Sequence, residues 1–456
     1  MKKELIQEMK AYYQPGKRVH ISGIGGVSMR ALAVILKNRG MVVSGSDVSA
    51  TRFTEELEQM GIPVHIGHRA ENVRGADCVL RTAAVHDDNP EITAARAAGI
   101  PVFERADTLG LLMQDYENAI CVAGTHGKTT TTGMLTHILM EAGRDPTVLI
   151  GGYMPLLDAS HRVGHSGTMI AESCEYCNSF LSFSPTVAII NNIEEEHLDF
   201  FKDLDEIKAS FRHFAELVPA GGCVIANGDD ANTMEALEGL PQLRFGLGQE
   251  NDVHPEQVSE DWRRCTVICG GAPYCQLSLA VYGKFNLINA LGACAVAWHM
   301  GIDGETAARA LAEFRGAGRR LEYKGRCNGA EVYDDYAHHP HEVRALLEAV
   351  RTMGYQRVIL AFQPHTYSRT KALFHEFVEE LQKPDLLVLA EIYAARERNI
   401  LNIHSSDLAA EIPGAVCFDT LPEVSDYLRS IAQPGDIILT VGAGDIYKAG
   451  EAICEA

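Results

Sequence analysis

The apolar, strand-type run Ala119-Ile120-Cys121-Val122-Ala123 leads into Gly124-Thr125-His126-Gly127-Lys128-Thr129-Thr130. A helical apolar pattern follows it. Strand, glycine-punctuated turn, Gly-Lys-Thr and helix, in that order, form the unit that cradles a triphosphate at the carboxyl edge of a parallel sheet. Glycines let the backbone wrap the phosphates, and N–H groups at the helix start point at them. Lys128 is placed to bridge phosphate oxygens, and Thr129 to offer a hydroxyl to Mg²⁺. The strict pattern wants glycine where Val122 stands, so the loop is a variant. Gly-Lys-Thr alone would be an accidental surface turn as often as not; the flanking strand and helix favour nucleotide binding.

A chain of 456 residues is too long for one core and suggests about three domains. Its 46% hydrophobic and 22% charged residues are those of a soluble globular protein, with no run of membrane-spanning length. Two lysines open the chain without a signal-type apolar core behind them, so a cytoplasmic location is expected. Forty basic residues against 61 acidic leave a net charge of −21. That field argues against nucleic acid as a partner and requires local positive potential wherever an anion binds. The twelve cysteines are scattered, and Cys174-x-x-Cys177 lacks the second pair that a zinc site would want.

Strand-type and helical segments alternate nearly throughout, which predicts an α/β protein with parallel sheets. Three blocks are read: 1–115, 116–316 and 317–456. The first is Rossmann-like, with the strand Arg18-Val19-His20-Ile21, the turn Gly23-Ile24-Gly25-Gly26 and a helix to about Arg39. Asp47 closes the second strand, 22 positions after Gly25. Such an acid holds a ribose or base edge. Ser28 replaces the third glycine of the fingerprint, so an inert βα turn is the alternative reading. The second block is a P-loop-type domain with a parallel sheet plus a small antiparallel sheet over residues 240–280. Helices are expected from about Phe285 to Met300 and from Glu305 to Phe314. The third block is again a Rossmann-like α/β domain.

Each chemical cluster follows a predicted strand, where an open parallel sheet collects ligands. Glu172, Glu175 and Glu194-Glu195-Glu196-His197-Leu198-Asp199 lie downstream of the loop, so Glu175 and His197 could converge on Lys128 with a hard cation. A solvated acidic face is the plainer alternative. Tyr333-Asp334-Asp335-Tyr336-Ala337-His338-His339-Pro340-His341-Glu342 permits three readings: a transition-metal site, a polar-capped helix start, or Asp335 on a ribose with the histidines on substrate. Phe362-Gln363-Pro364-His365-Thr366-Tyr367-Ser368-Arg369-Thr370 offers an arginine fork that suits a carboxylate.

With the phosphate loop, Asn191-Asn192-Ile193-Glu194, Gly283-Lys284-Phe285-Asn286-Leu287-Ile288-Asn289-Ala290, Gly318-Arg319-Arg320 and the last two clusters, the chain resembles the ATP-dependent Mur ligases over nearly its whole length. The resemblance implies a nucleotide-sugar domain, an ATP domain and an amino-acid domain, in that order. Its small-molecule substrates would be UDP-N-acetylmuramate and L-alanine, its cofactors ATP and Mg²⁺, and its state monomer or homodimer. It assigns Gly124, Thr125, His126, Gly127, Lys128, Thr129, Thr130, Asn286, Asn289, Arg320 and Asp335 to ATP. Thr129, Glu175 and His197 would hold metal, and Lys128, His197 and Arg320 would be catalytic. Gly25, Gly26, Asp47, Thr82, Tyr336, His338, His339, His365 and Arg369 would contact the substrates. Two departures stand out: Phe285 where the family often has histidine, and Arg212 where sister ligases carry a carbamylated lysine.

The implied chemistry transfers the γ-phosphoryl to a carboxylate, and an amine then displaces phosphate, with domain closure bringing the reactants together. His126 or a neighbour would take the amine proton. A ligase recycling murein tripeptide, an NAD-binding oxidoreductase built on Gly23-Ile24-Gly25 and Asp47, and a non-catalytic nucleotide sensor are the rivals.

Overall fold

The computed structural model describes residues 3–82, 84–197, 200–395 and 397–454. It is built around three sheets. The first holds β1 (Arg18–Ser22), β2 (Val42–Asp47), β3 (Val64–Ile66), β4 (Cys78–Arg81) and β5 (Val102–Glu104). Their order is β3-β2-β1-β4-β5, all parallel. This is a Rossmann-type half, with the helix Val27–Asn38 rising from the glycine turn after β1.

The second sheet holds β6 (Asn118–Ala123), β7 (Thr147–Met154), β8 (Ala159–Arg162), β9 (Thr168–Glu172) and β10 (Val187–Ile190). It continues with β11 (Cys223–Asn227), β12 (Leu243–Phe245), β13 (Val253–Glu256), β14 (Arg264–Cys269) and β15 (Ala272–Ser278). The order is β15-β14-β13-β12-β11-β10-β6-β9-β7-β8. Strands β11, β10, β6, β9 and β7 run parallel, which explains why β6 is an unbroken apolar run with residues 119–123 all buried. The antiparallel strands expected over 240–280 are present, and β13 and β14 extend the edge of this same sheet. The helices Lys284–His299 and Gly304–Glu313 each start and end one residue earlier than the sequence reading.

The third sheet holds β16 (Glu322–Cys327), β17 (Ala330–Asp335), β18 (Arg357–Phe362), β19 (Leu386–Ala390), β20 (Val416–Phe418) and β21 (Asp436–Val441). They are ordered β16-β17-β21-β18-β19-β20, with only the β16–β17 pair antiparallel among the registers described. Asp335 and Phe362 both register with Val441, so the segments after β17, β18 and β21 leave one sheet edge together.

The chain divides into two compact units. One contains the residues up to Glu256 with Thr266–Leu277 and Ile288–Glu313; the other contains Gln257–Cys265, Ser278–Leu287 and the residues from Phe314 onward. Among the described residues no helix is long and apolar enough to cross a membrane. All twelve cysteines are free thiols, Cys174 and Cys177 included.

Candidate functional site

In the first unit the carboxyl ends of β6, β9 and β10 bring the loops at 124–127, 173–175 and 191–197 together. Gly124 has φ 138° and Gly127, the N-cap of the helix Lys128–Glu141, has φ 80°. Both are crowded as well. A Cβ on Gly124 would lie 2.9 Å from Asn191 Cβ, and one on Gly127 would lie 2.5 Å from Asn289 Oδ1 and 3.0 Å from Asn191 Nδ2. Only glycine fits a position that is left-handed and this close to other atoms.

Lys128 curls back over the loop. Its ammonium donates to Gly124 O at 2.5 Å and Thr125 O at 3.0 Å, and pairs with Glu175 Oε2 at 3.1 Å. Burial works against its charge, yet Glu175 first, with Cys174 and Glu172, raises the lysine above its ordinary value. Thr129 Oγ1 donates to Glu172 Oε1 at 2.9 Å, and Glu172 Oε2 accepts the Gly151 N–H at 2.6 Å. His197 sits in a left-handed turn (φ 57°), its Nε2 3.8 Å from Glu175 Oε1 and its ring 4.6 Å from that of Tyr176. His126 Nε2 lies 3.6 Å from Glu194 Oε2. Thr130 is buried in the first helical turn.

The loop is braced by a pair of residues that the sequence reading did not assign to the site. Asn192 Oδ1 accepts the His126 N–H at 2.8 Å, and its carbonyl accepts the Thr125 N–H at 3.0 Å. Asn191 Nδ2 donates to Thr131 Oγ1 at 3.1 Å. The signal was available, for two adjacent amides close the buried run of β10 at the edge where ligands collect.

The oxygen-rich set of Thr129, Glu172 and Glu175 fits a hard divalent cation that keeps waters and takes the rest of its shell from phosphate. Leu198 and Asp199 lie outside the described residues. Among those described, no group of three or more His, Cys, Asp or Glu side chains is gathered as a metal site. That finding counts against the transition-metal reading of Asp334, Asp335, His338, His339 and His341; the partners of the first four are set out below. Arg212 makes hydrogen bonds to Glu216 Oε1 and to the carbonyls of Ala236 and Glu238.

On the first sheet, Asp47 Oδ2 accepts the Gly25 N–H at 2.9 Å and Oδ1 accepts the Val48 N–H at 2.8 Å. The acid thus ties the end of β2 to the glycine turn. Gly26 caps the following helix, and the Thr82 methyl packs close to Gly23.

The second unit carries the other cluster. Asp335 is buried, with Oδ1 on the Ala337 N–H at 2.8 Å and Oδ2 on the Leu321 N–H at 2.7 Å. Burial pushes its carboxyl up to about 6, with Arg320 opposing. Asp334 accepts from Arg319 Nε at 2.9 Å and from Thr440 at 2.9 Å. His339 caps the helix Pro340–Arg351, and Glu342 closes the box by accepting the N–H groups of His338 and His339. Arg320 reaches Glu342 at 3.8 Å and the Tyr336 ring at 5.6 Å. Rings then follow in series: Tyr336 to His338 at 5.4 Å, His338 to His365 at 5.9 Å, and His365 stacked on Tyr393 at 5.7 Å. Arg369 Nη1 lies 3.4 Å from His365 Nδ1. Sequence reasoning missed Glu342 as the hub and Tyr393 altogether. Glu342 stands three residues after His339, at capping-box spacing; Tyr393 comes from a loop that no motif marks.

Asn286 and Asn289 are both buried on the helix Lys284–His299. Asn286 Nδ2 donates to Tyr282 O at 2.7 Å, whereas Asn289 faces Gly127.

These loops on three sheet edges define a nucleotide-dependent ligase architecture, and the chain belongs to the Mur ligase family. Residues 18–117 match the model "Mur ligase family, catalytic domain", 122–297 the "Mur ligase middle domain", and 319–444 the "Mur ligase, glutamate ligase domain". The chain is 44% identical over 448 residues to the UDP-N-acetylmuramate–L-alanine ligase of Caldanaerobacter subterraneus subsp. tengcongensis, covering 96% of this chain and 97% of the other. Among solved structures, the UDP-N-acetylmuramate-alanine ligase of Thermotoga maritima is similar with a TM-score of 0.80 at 30% identity, covering 96% and 98% of the two chains. A murein peptide ligase from Psychrobacter arcticus is similar with a TM-score of 0.71 at 25% identity, covering 97% and 100%.

Proposed function

We propose that this chain joins L-alanine to the lactyl carboxylate of UDP-N-acetylmuramate, converting ATP to ADP and phosphate, in peptidoglycan precursor synthesis. The observation that carries this reading is the 44% identity to a ligase of that name, spread over 96% of the chain, so that all three sheets are included. The murein-peptide ligase alternative is the weaker one, since that neighbour has the lower TM-score, 0.71 against 0.80, and the lower identity. An oxidoreductase built on the first glycine turn is set aside by family membership.

The division of labour follows the sheets. Residues 1–115 bind the nucleotide sugar with Gly25, Gly26, Asp47 and Thr82. Residues 116–316 bind ATP on 124–130 with Asn289, and residues 317–456 bind the amino acid with Tyr336, His338, His339, His365 and Arg369. Arg320, Asp335 and Asn286 also serve the nucleotide in this reading. Thr129, Glu175 and His197 hold Mg²⁺, with Glu172 beside them. When bound, the ion supplies positive charge against the phosphate oxygens.

Two anions must approach for the carboxylate to take the phosphoryl group, so positioning and positive charge carry the step. Lys128 is the cation fixed nearest the loop, held by two carbonyls and Glu175. The carboxylate oxygen attacks γ-phosphorus and ADP leaves; the alanine nitrogen then attacks the acyl carbon, loses a proton, and inorganic phosphate departs. His126 beside Glu194 is suited to take that proton. The enzyme works as a soluble protein in the cytoplasm. The test is phosphate release with ATP, Mg²⁺ and UDP-N-acetylmuramate while single amino acids are supplied in turn. Alanine should be preferred; equal release with the tripeptide, or no release with alanine, overturns the proposal.

A further inference from the structure

The first sheet and its helices hold four arginines that are partly or fully buried: Arg30, Arg39, Arg81 and Arg105. Three have a carboxylate in contact. Arg30 pairs with Glu56 at 2.7 Å, Arg39 with Asp115 at 2.5 Å and Arg81 with Glu104 at 2.6 Å. Arg105 is the exception: among the described residues its guanidinium makes neither a hydrogen bond nor an ion pair. In a chain with a net charge of −21 a half-buried arginine with no acid beside it is unusual.

Its placement gives that vacancy a direction. Arg105 opens the helix Arg105–Met113 directly after β5, at the carboxyl edge of the first sheet. That helix packs against Tyr176–Ser182, the segment that begins immediately after Glu175. Burial pulls the guanidinium below the ordinary arginine value, and the neighbouring Cys174 opposes that pull only in part. Cys174 adjoins Glu175, the partner of Lys128. A cation lacking its counter-ion therefore stands on the sugar-binding side of the phosphate loop.

We infer that Arg105 grips the carboxylate of the nucleotide sugar, the acid that is to be phosphorylated; this rests on the ligase reading above. A planar fork binds both oxygens of a carboxylate and fixes its plane. The ATP phosphates are met by Lys128 and the loop N–H groups; of the two anions of the nucleotide sugar, its diphosphate and its acid, only the acid has to reach that loop, and the helix opened by Arg105 packs on the segment that follows Glu175. Arg105 is thus the residue that separates a nucleotide sugar bearing a lactyl acid from one without it.

The experiment uses the full chain with Arg105→Gln and Arg105→Lys. Calorimetry measures binding of UDP-N-acetylmuramate and of UDP-N-acetylglucosamine, which lacks the acid, and steady-state kinetics give KM for each substrate. Arg105→Gln should lower kcat/KM for UDP-N-acetylmuramate about ten- to a hundredfold and remove most of the preference over the neutral sugar. KM for ATP should stay within about twofold, since the phosphates are bound elsewhere. Arg105→Lys keeps the charge without the fork and should retain only part of the preference, which serves should the Gln variant not fold. Undiminished preference for the acidic sugar in both variants overturns the inference, and so does a rise confined to KM for ATP. A wild-type chain that releases no phosphate with alanine and UDP-N-acetylmuramate would instead sink the ligase reading itself.

Discussion

Deleting the Lys128 side chain should damage the protein in two separable ways. Glu175 is 2% exposed and 3.1 Å from the ammonium, so Lys128→Ala leaves a buried carboxylate without its cation. Loss of one partner from a buried pair costs about 3–5 kcal/mol. Here the lysine side chain is 14% exposed and His197 lies 3.8 Å from the same carboxylate, so a loss at or just below that range, about 2–3 kcal/mol, is expected. Adding Glu175→Gln to Lys128→Ala removes the orphaned charge and should restore at least about 1 kcal/mol of that loss. Turnover should stay down by about three orders of magnitude or more in both, because the cation proposed to meet the phosphates is absent from each. The sign of the pH effect follows from the raised pKa of Lys128. Its contribution is complete below the unfolded lysine value of about 10.4 and is lost as pH climbs through the higher folded value. The deficit of Lys128→Ala should therefore be full at neutral pH and narrow only in strong alkali. Urea unfolding followed by circular dichroism, run on the four proteins of the cycle with phosphate release in parallel, measures both effects. If Glu175→Gln restores nothing to the Lys128→Ala background, the ion pair is not what holds the loop together.

Gly127→Ala forces a left-handed residue to carry a Cβ 2.5 Å from Asn289 Oδ1, so stability should fall by about 1–2 kcal/mol and ATP affinity at least about tenfold, read by calorimetry. Asp335 has a folded pKa of about 6, above the unfolded carboxylate value, so the folded state holds its proton more tightly. Stability should therefore decline as pH rises from about 4 to about 6, by about 2–3 kcal/mol, and Asp335→Asn should flatten that slope in unfolding midpoints taken across the range. Chelating divalent cations should weaken ATP binding by at least about tenfold in the same calorimetric assay, and equal affinity with and without Mg²⁺ would refute the metal assignment.

The sheets were legible because their signals are local. An apolar run of five residues followed by glycine can hardly be anything but β6 and its turn, and the caps of the helix after His339 lie within four residues of one another. The position of a candidate residue was legible where its motif sits at a strand end, as with Lys128, Asp335 and His365. It was not legible where a side chain changes partner through space. The sequence reading gives Thr129 and Glu175 a metal role but not their protein partners, Glu172 for Thr129 and Lys128 for Glu175. Tyr393 comes to His365 through pairing of two loops, His365 with Tyr393, a contact between residues 28 positions apart that no short pattern encodes. The antiparallel strands at 253–278 were read as a separate small sheet because periodicity reports a strand and not its neighbour.

The acidity of the phosphate loop has a physical rationale once these partners are known. Three carboxylates close to a triphosphate would repel it if they stood bare. Each is instead held on a positive or donor group: Glu175 on Lys128, Glu172 on the Thr129 hydroxyl and the Gly151 N–H, and Glu194 beside His126. The loop is thus an internal salt whose cation and anions both have a second use in the proposed function, the lysine for phosphate and the carboxylates for a metal. A nucleotide arriving with its metal satisfies both halves at once, whereas a bare triphosphate would take the lysine and strand Glu175 at 2% exposure. In the proposed function the desolvation of that one carboxylate would therefore couple metal to nucleotide binding.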